Sequence, residues 1–465
     1  MLPSDGPHFR TEDRTLLAVL RDRTYRHLFA AQVIALVGTG LATVALSLLA
    51  YDLAGTGAGA VLGTALACKM LAYLFIGPIA TALAERHSRR TLMVAMDLAR
   101  AAVALALPFV TEVWQVYVLV LVLQSASATF TPTFQATIPE VLTREDDYTK
   151  ALSLSRLAYD LESLLSPAIA AVLLTLVGYQ WLFTGTTVGF LASAVLVASV
   201  VLPKLAPAPQ TSGRWAKTTR GFRLYLATPR LRALLLMHLA VAAATAMVIV
   251  NTVVLVRDGL GLGGDDVAIA LGAYGIGSMT AALLLPRILR RLTDRQVMLP
   301  AALTLAAGLT ALAAALTLDA LGWAGLLTLW AVLGIATGAI LTPTGRLVTA
   351  SAAPNDRPAA FAAQFSLSHG WFLITYPVAG WLAARADMAT AATALAAVAV
   401  TAAVTGFACW PKRDAVAIAH VHAELDPDHP HLVHAKSTAD GWRHEHAFVI
   451  DGLHRHWPAN GSERA

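Results

Sequence analysis

The residues of this chain best suited to bind an ion are histidines near its C-terminal end. Nine of the 14 histidines follow Lys412, and eight of the nine form four His-x-His pairs. They are His420, His422, His429, His431, His434, His444, His446, His454 and His456. In an extended chain, imidazoles at positions i and i+2 can converge on one ion, and neutral imidazole suits nickel, cobalt, zinc and copper. The pattern predicts a transition-metal site, for nickel, cobalt or zinc, in this tail. The alternative is a solvated tail that binds no ion or only sequesters stray metal.

A second set of candidates consists of ionisable residues inside long apolar stretches. They are Lys69, Asp97, Arg100, Arg156, Asp160, Glu162 and His369. A charge in the core of a bilayer is costly, so such residues usually face a cavity or one another. Spacings of three and four residues put Asp97 with Arg100, and Arg156 with Asp160, on common helix faces. Each pair can brace a helical bundle or belong to a transport pathway, and the spacing leaves both interpretations open.

Four of these residues can carry or exchange a proton. A low-dielectric site raises the pKa of a carboxyl group toward neutral pH. Asp160 and Glu162 are therefore the best candidates for proton coupling. Lys69 and Glu162 are expected to pair across two helices, or one of them titrates during transport. Imidazole changes charge near neutral pH, so His369 can carry a proton or bind a metal, and a packed, hydrogen-bonded histidine is the alternative.

Twelve apolar stretches must position these residues. The length of each is close to the roughly 20 residues that a helix needs to cross a bilayer. The predicted spans are 28–50, 59–82, 91–110, 115–134, 151–176, 181–202, 232–256, 266–288, 297–317, 322–342, 359–384 and 388–410. The composition agrees, because 57% of the residues are hydrophobic and only 14% are charged. The sequence therefore predicts an all-α polytopic membrane protein.

The loops indicate orientation and domain organisation. Lys and Arg concentrate in alternate loops, which predicts that both termini are cytoplasmic and that the chain is a multi-pass protein of the cell membrane. A basic, proline-containing segment separates spans 6 and 7 and is expected to be a cytoplasmic linker that can include a short surface helix. The predicted domains are a cytoplasmic N-terminus (1–27), a six-helix bundle (28–202), the linker (203–231), a second six-helix bundle (232–411) and the His-rich cytoplasmic tail (412–465).

The loop after span 2 carries a family resemblance. Its residues Glu85, Arg86, Arg89 and Arg90 match the acid and basic positions of G-x-x-x-[DE]-R-x-G-R-[RK], while Thr81 and Ser88 replace the glycines. The chain thus resembles the Major Facilitator Superfamily, which implies two six-helix bundles and a gating role for those four residues. The segments 132–140, 151–160 and 363–369, together with the tail, resemble the nickel-resistance exporter branch.

These observations predict a secondary transporter rather than an enzyme. The sequence has no phosphate-cradling Gly-Lys-Ser/Thr loop, so we expect no ATP-driven pumping. The net charge of +5 resides mostly in loops beside the spans and does not indicate nucleic-acid binding. The first hypothesis is proton-coupled export of a divalent transition-metal cation such as nickel or cobalt, with no tightly bound cofactor. The alternatives are an exporter of small amphipathic organic molecules and a non-transporting membrane metal sensor.

Overall fold

The computed structural model describes most of the membrane part and portions of the tail. The described residues are 16–76, 88–142, 144–202, 214–353, 356–411, 417–422, 432, 435–438, 441–447, 449–450, 454 and 457. The first seven helices are α1 (Arg23–Ala54), α2 (Ala58–Leu71), α3 (Arg89–Ala106), α4 (Val113–Val141), α5 (Glu145–Leu174), α6 (Gln180–Ala198) and α7 (Arg214–Ala227). The remaining six are α8 (Pro229–Val254), α9 (Gly264–Ile288), α10 (Asp294–Thr317), α11 (Trp323–Ser351), α12 (Arg357–Arg385) and α13 (Met388–Cys409).

The predicted all-α polytopic fold is confirmed. Twelve of the described helices coincide with the twelve predicted spans, and α7 lies in the predicted linker. Nine stretches of the described chain are long and apolar enough to cross a membrane, and the first of them, Arg23–Ile76, runs through α1 and α2 together. Helix α5 begins at Glu145, six residues before the predicted span, because the acidic segment 145–147 continues the helix beyond its apolar part. The predicted orientation of the termini stays a prediction.

Side chains at several helix starts satisfy free backbone N–H groups. Ser88 Oγ accepts a hydrogen bond from the Thr91 backbone N–H before α3, at 3.3 Å. Asp387 Oδ1 accepts from the Thr390 backbone N–H before α13, at 2.6 Å. The latter bond favours the charged carboxylate and holds the pKa of Asp387, which lies in a loop, below its usual value. Such caps set where the membrane helices begin.

The described residues fall into two compact units. The first lies within Met1–Leu46 and Phe75–Pro207, and the second within Ser47–Leu74 and Ala208–Ala465. Helix α2 groups with the second unit because it packs closely along α12. The domain boundaries given by the sequence stay a prediction.

The core of the first unit is built from large apolar side chains tied together by a few polar contacts. Tyr25, Phe134 and Ile138 are among its buried members. The Tyr25 hydroxyl donates to the Ala151 carbonyl at 3.1 Å and joins α1 to α5. In the second unit, the indole N–H of Trp330 donates to Thr252 Oγ1 at 2.8 Å and joins α11 to α8. Polar side chains of this kind are hydrogen-bonded because leaving them unpaired in an apolar interior is costly.

The helix in the predicted linker, α7, is fastened to α12. Arg220 Nε lies 2.8 Å from Asp356 Oδ1, and Arg220 Nη2 donates to Asp356 Oδ2, also at 2.8 Å. Such a bidentate ion pair fixes the orientation of α7 as well as its position. Residue Gly221 lies against the Ala359 backbone, where a larger residue would overlap. The linker therefore includes a docked helix.

The tail contains a small β-sheet, which the sequence did not predict. Its described strands are β1 (Ala417–His422), β2 (Lys436–Thr438) and β3 (Gly441–Ala447), in the order β1-β3-β2 and antiparallel. In this register His420 lies opposite His444, and His422 lies opposite Trp442. Residues two apart share a sheet face, so His420, His422, His444 and His446 occupy positions on one face.

Candidate functional site

Aromatic rings form a column along α12 in the second unit. The column consists of Phe365, His369, Phe372 and Tyr376, with Tyr73 from the turn after α2 beside it. The ring centroids of Phe365 and His369 are 3.9 Å apart, and those of Phe372 and Tyr376 are 5.3 Å apart. The Tyr73 ring lies 6.3 Å from Phe365 and 6.0 Å from His369. Distances of this size are typical of interacting aromatic pairs.

Two features of the backbone produce this column. The four residues on α12 follow spacings of four, three and four, which place them on one helix face. Tyr73 lies in the π-helical turn Ala72–Ile76 that ends α2, and such turns are frequent at functional sites. The sequence pointed to His369 but not to Phe365, Phe372 or Tyr73. The α12 spacing was a usable signal for two of them, whereas Tyr73 is joined to the column only by tertiary packing.

His369 has a defined tautomer in the column. Its Nδ1 lies 2.7 Å from the Phe365 carbonyl, and a carbonyl only accepts, so Nδ1 carries the hydrogen. The neutral ring therefore presents Nε2 as a hydrogen-bond acceptor. Lys69 of α2 interacts electrostatically with this imidazole. The column thus combines apolar ring faces with a polar group and a nearby cation, all within one unit.

Close packing of α2 on α12 holds Tyr73 against the column. Gly59 and Gly380 meet backbone to backbone, and a methyl group at Gly380 would overlap the Gly59 carbonyl. Small residues permit such close approach of membrane helices. Asn251 of α8 lies at the same crossing, where its Nδ2 donates to the Ala379 carbonyl at 3.1 Å. Trp381 Nε1 donates to Thr64 Oγ1 at 2.9 Å and adds a direct bond between α12 and α2.

A buried chain of hydrogen bonds links α7, α12 and α8. The Tyr225 hydroxyl donates to Gln364 Oε1, and Gln364 Nε2 lies 3.1 Å from His238 Nε2. His238 Nδ1 lies 3.0 Å from the Leu234 carbonyl and donates to it, so Nε2 accepts from the amide of Gln364. Burial raises the pKa of Tyr225, which keeps its phenol protonated as a donor. All three side chains are therefore fixed, and the linker helix is coupled to the membrane helices.

Replacing Gln364 with leucine is expected to lower the free energy of unfolding by about 1–3 kcal/mol. The change leaves the Tyr225 hydroxyl and His238 Nε2 buried without their hydrogen-bond partner. Thermal denaturation of the purified protein in detergent measures this change. Gln135 is exposed on α4, so Gln135→Leu serves as the matched control and should leave the transition unchanged. Equal transitions for the two variants would contradict the proposed coupling of α7.

Two charged residues of α3, Asp97 and Arg100, form a buried cluster in the first unit. Asp97 is fully buried and Arg100 is 5% exposed, and the two form an ion pair. Ser193 of α6 donates its hydroxyl to Asp97 Oδ2 at 2.7 Å. The Arg100 guanidinium lies over the rings of Phe130 and Phe190, at 4.3 and 4.5 Å. This cluster ties α3 to α4 and α6.

The other candidates in the membrane part are placed as follows. Glu162 is half-buried on α5, and its carboxylate, together with Ser166, faces Gly40 of α1. For Arg156 and Asp160 the structure describes only the backbone, within α5. Two residues predicted in the gating loop, Arg89 and Arg90, instead lie in the first turn of α3, where Arg89 pairs with Glu140 of α4 and Arg90 donates to the Ala198 carbonyl at the end of α6. Glu85 and Arg86 lie outside the described residues.

The tail histidines are only partly described. His422 and His454 are both buried, and their ring centroids are 5.1 Å apart. His420, His444 and His446 are placed by strand register, whereas His429, His431, His434 and His456 lie outside the described residues. Among the side chains that the structure describes, no three His, Cys, Asp or Glu residues are grouped closely enough to hold a metal ion. The predicted metal site stays a prediction.

Comparison with known proteins places this arrangement in context. The model of the Major Facilitator Superfamily matches residues 28–325 and 234–444. Macrolide efflux protein A of Streptococcus pyogenes is 28% identical over 189 residues, which cover 40% of this chain and 46% of that protein. The match thus spans about half of that relative's length.

Solved structures share the fold at low sequence identity. A bacterial homologue of the human lysosomal transporter Spinster, in an inward-facing and unoccupied conformation, superposes with a TM-score of 0.63 at 13% identity. That match covers 84% of this chain and 99% of the other. A D-xylose–proton symporter superposes with a TM-score of 0.62 at 15% identity, covering 83% and 98% of the two chains.

Proposed function

Because the chain belongs to the Major Facilitator Superfamily, and is therefore a membrane transporter and not an enzyme, we propose that it exports small amphipathic organic molecules across the cell membrane in exchange for protons. This proposal puts the organic substrate, which the sequence offered as an alternative, ahead of the metal cation.

The aromatic column is the observation that carries this proposal. Binding sites for small organic molecules are lined mainly by apolar and aromatic side chains, with a few polar groups that fix orientation. Phe365, Phe372 and the ring of Tyr73 supply the apolar surface, and His369 supplies a hydrogen-bond acceptor. A divalent cation would meet one imidazole and the cation of Lys69 here, which suits it poorly.

The relatives support an outward direction and an organic substrate. The name of the Streptococcus pyogenes protein describes efflux of macrolides, which are organic molecules. A macrolide is therefore the first substrate to test, and smaller apolar compounds come second.

The proposed proton coupling rests on the first unit. The Asp97 carboxylate is fully buried, whereas Glu162 is half-buried beside Gly40. Carboxylates within membrane helices commonly carry protons in transporters. Glu162 is accordingly the described residue that we assign to proton exchange, with Asp160 as its neighbour on α5.

Radiolabelled erythromycin uptake into everted membrane vesicles tests the proposal. An imposed inside-acid pH gradient should drive accumulation, and Phe372→Ala and Tyr73→Ala should each reduce its rate at least fivefold because they remove ring surface from the column. Phe109 is 78% exposed in the turn that follows α3, so Phe109→Ala is the matched control and should transport normally.

Two outcomes would contradict this proposal. One is accumulation no higher than in vesicles that lack the protein, with the protein shown to be inserted. The other is normal transport by both column variants, which would separate the rings from substrate binding.

Export of a divalent transition-metal cation is the second candidate, and the tail favours it. The β1–β3 register puts His420 opposite His444 and places four histidines on one sheet face. The same vesicles test this candidate with radiolabelled nickel. Gradient-driven nickel accumulation that is lost on deletion of residues 414–465 would support it. Erythromycin export that survives the deletion would instead support the organic substrate.

A further inference from the structure

An apolar groove of about 500 Å³ runs along the surface of the second unit between α10 and α13. Its wall includes Leu303, Ala307, Ala311, Ala314, Val400 and Val404. The alanines of α10 leave the space that larger side chains would fill. Thr310, the polar residue of the wall, donates its hydroxyl to the Ala306 carbonyl at 2.8 Å. The groove therefore offers apolar contacts alone.

The groove has the length of an acyl chain in one leaflet. From Leu303 to Ala314 the helix rises about 17 Å at 1.5 Å per residue. One leaflet contributes half of a hydrocarbon core that is about 30 Å thick. Leu303 and Val404 are 50% and 57% exposed, which marks this side of both membrane helices as a surface that lipid covers.

A guanidinium lies one helical turn beyond the groove. Phe407 follows Val404 by three residues on α13, and the Arg295 guanidinium lies 5.4 Å from its ring. In the part of the chain that the structure describes, Arg295 Nε is buried without a hydrogen-bond partner. The adjacent acid, Asp294, accepts from Arg346 at 3.1 and 2.5 Å and is thus engaged by another cation. Arg295 is consequently placed to bind an anion.

The surroundings of Arg295 are basic. Arg287, Arg290 and Arg291 precede it and are exposed. Juxtamembrane clusters of arginine attract anionic lipid headgroups. A positive cluster at one end of an apolar groove is complementary to an acidic headgroup attached to an acyl chain.

We propose that this groove binds one anionic phospholipid, with an acyl chain between α10 and α13 and its phosphate at Arg295. The bound lipid holds these two helices together in the leaflet next to the segment Arg287–Arg295. The proposal is independent of the transported substrate, because the groove lies on the outer face of α10 and α13 and shares no residue with the aromatic column.

Native mass spectrometry of the full chain tests this site. The protein is purified in detergent and mixed with dioleoyl phosphatidylglycerol or dioleoyl phosphatidylcholine, which share their acyl chains. We expect retention of one phosphatidylglycerol at least fivefold more than of phosphatidylcholine. Arg295→Gln should abolish that preference, and Ala311→Phe should abolish retention of both lipids by filling the groove.

Two control variants carry similar substitutions at positions outside the groove. Arg385 lies 4.2 Å from the Trp381 ring at the end of α12, so Arg385→Gln removes a similar cation–π contact far from the groove. Ala324 is an exposed alanine at the start of α11, so Ala324→Phe adds a similar ring outside it. Both controls should bind lipid normally. Equal retention of the two lipids, or unchanged preference in Arg295→Gln, would overturn the proposal. A thermal unfolding transition near that of the unmodified protein establishes that each variant is folded.

Discussion

Replacing Arg100 with methionine is expected to lower the free energy of unfolding by about 3–5 kcal/mol, because the change leaves the Asp97 carboxylate buried without its cation. Asp97 is fully buried and Arg100 is 5% exposed, so water cannot take the place of the lost partner. The methionine also removes the cation that lies over Phe130 and Phe190. Thermal or chemical denaturation of the purified protein in detergent micelles measures the loss.

Two further variants make this test specific. The double variant Asp97→Asn with Arg100→Met removes both charges and should recover most of the lost stability, because no buried charge remains. Arg232 is exposed on α8, so Arg232→Met is the matched control and should change stability by no more than about 0.5 kcal/mol. If Arg100→Met behaves like Arg232→Met, or if the double variant is no more stable than the single one, the cluster does not brace the bundle.

This cluster shows how far helix spacing can be read from a sequence. The three-residue spacing of Asp97 and Arg100 put them on one face of α3, and the structure pairs them. Ser193, Phe130 and Phe190 complete the cluster from α4 and α6, and no spacing within α3 points to them. Contacts within a helix follow from its period, whereas contacts between helices depend on how the bundle packs.

The tail illustrates a different limit. Its His-x-His pairs predicted metal binding but no folded element, whereas residues 417–422 and 441–447 pair as antiparallel strands. The segment Ala-Ile-Ala-His-Val-His of β1 alternates with a period of two residues, which indicates a strand. Its histidines were interpreted only as metal ligands. By contrast, the membrane helices were predictable because long apolar stretches in a bilayer must satisfy their own backbone hydrogen bonds.

Gly380→Ala is expected to reduce export at least tenfold, although it adds only one methyl group. That methyl would overlap the carbonyl of Gly59, so α2 and α12 must move apart to admit it. Protein interiors are packed too densely to absorb such a shift locally. The shift would carry Tyr73 away from Phe365 and His369, because Tyr73 follows directly on α2.

The same helix supplies the control for this prediction. Gly370 lies ten residues earlier on α12, and a methyl group there would meet nothing within 4 Å in the part of the chain that the structure describes. Gly370→Ala should therefore insert, unfold and export like the unmodified protein, since alanine also favours the helix more than glycine does. Uptake of radiolabelled erythromycin into everted vesicles, normalised to inserted protein, compares the two. The proposed function predicts that the unmodified chain transports erythromycin. Transport by Gly370→Ala would therefore show that the assay detects this activity. Equal rates for the two alanine variants would then show that the α2–α12 crossing does not hold the aromatic column in its working geometry.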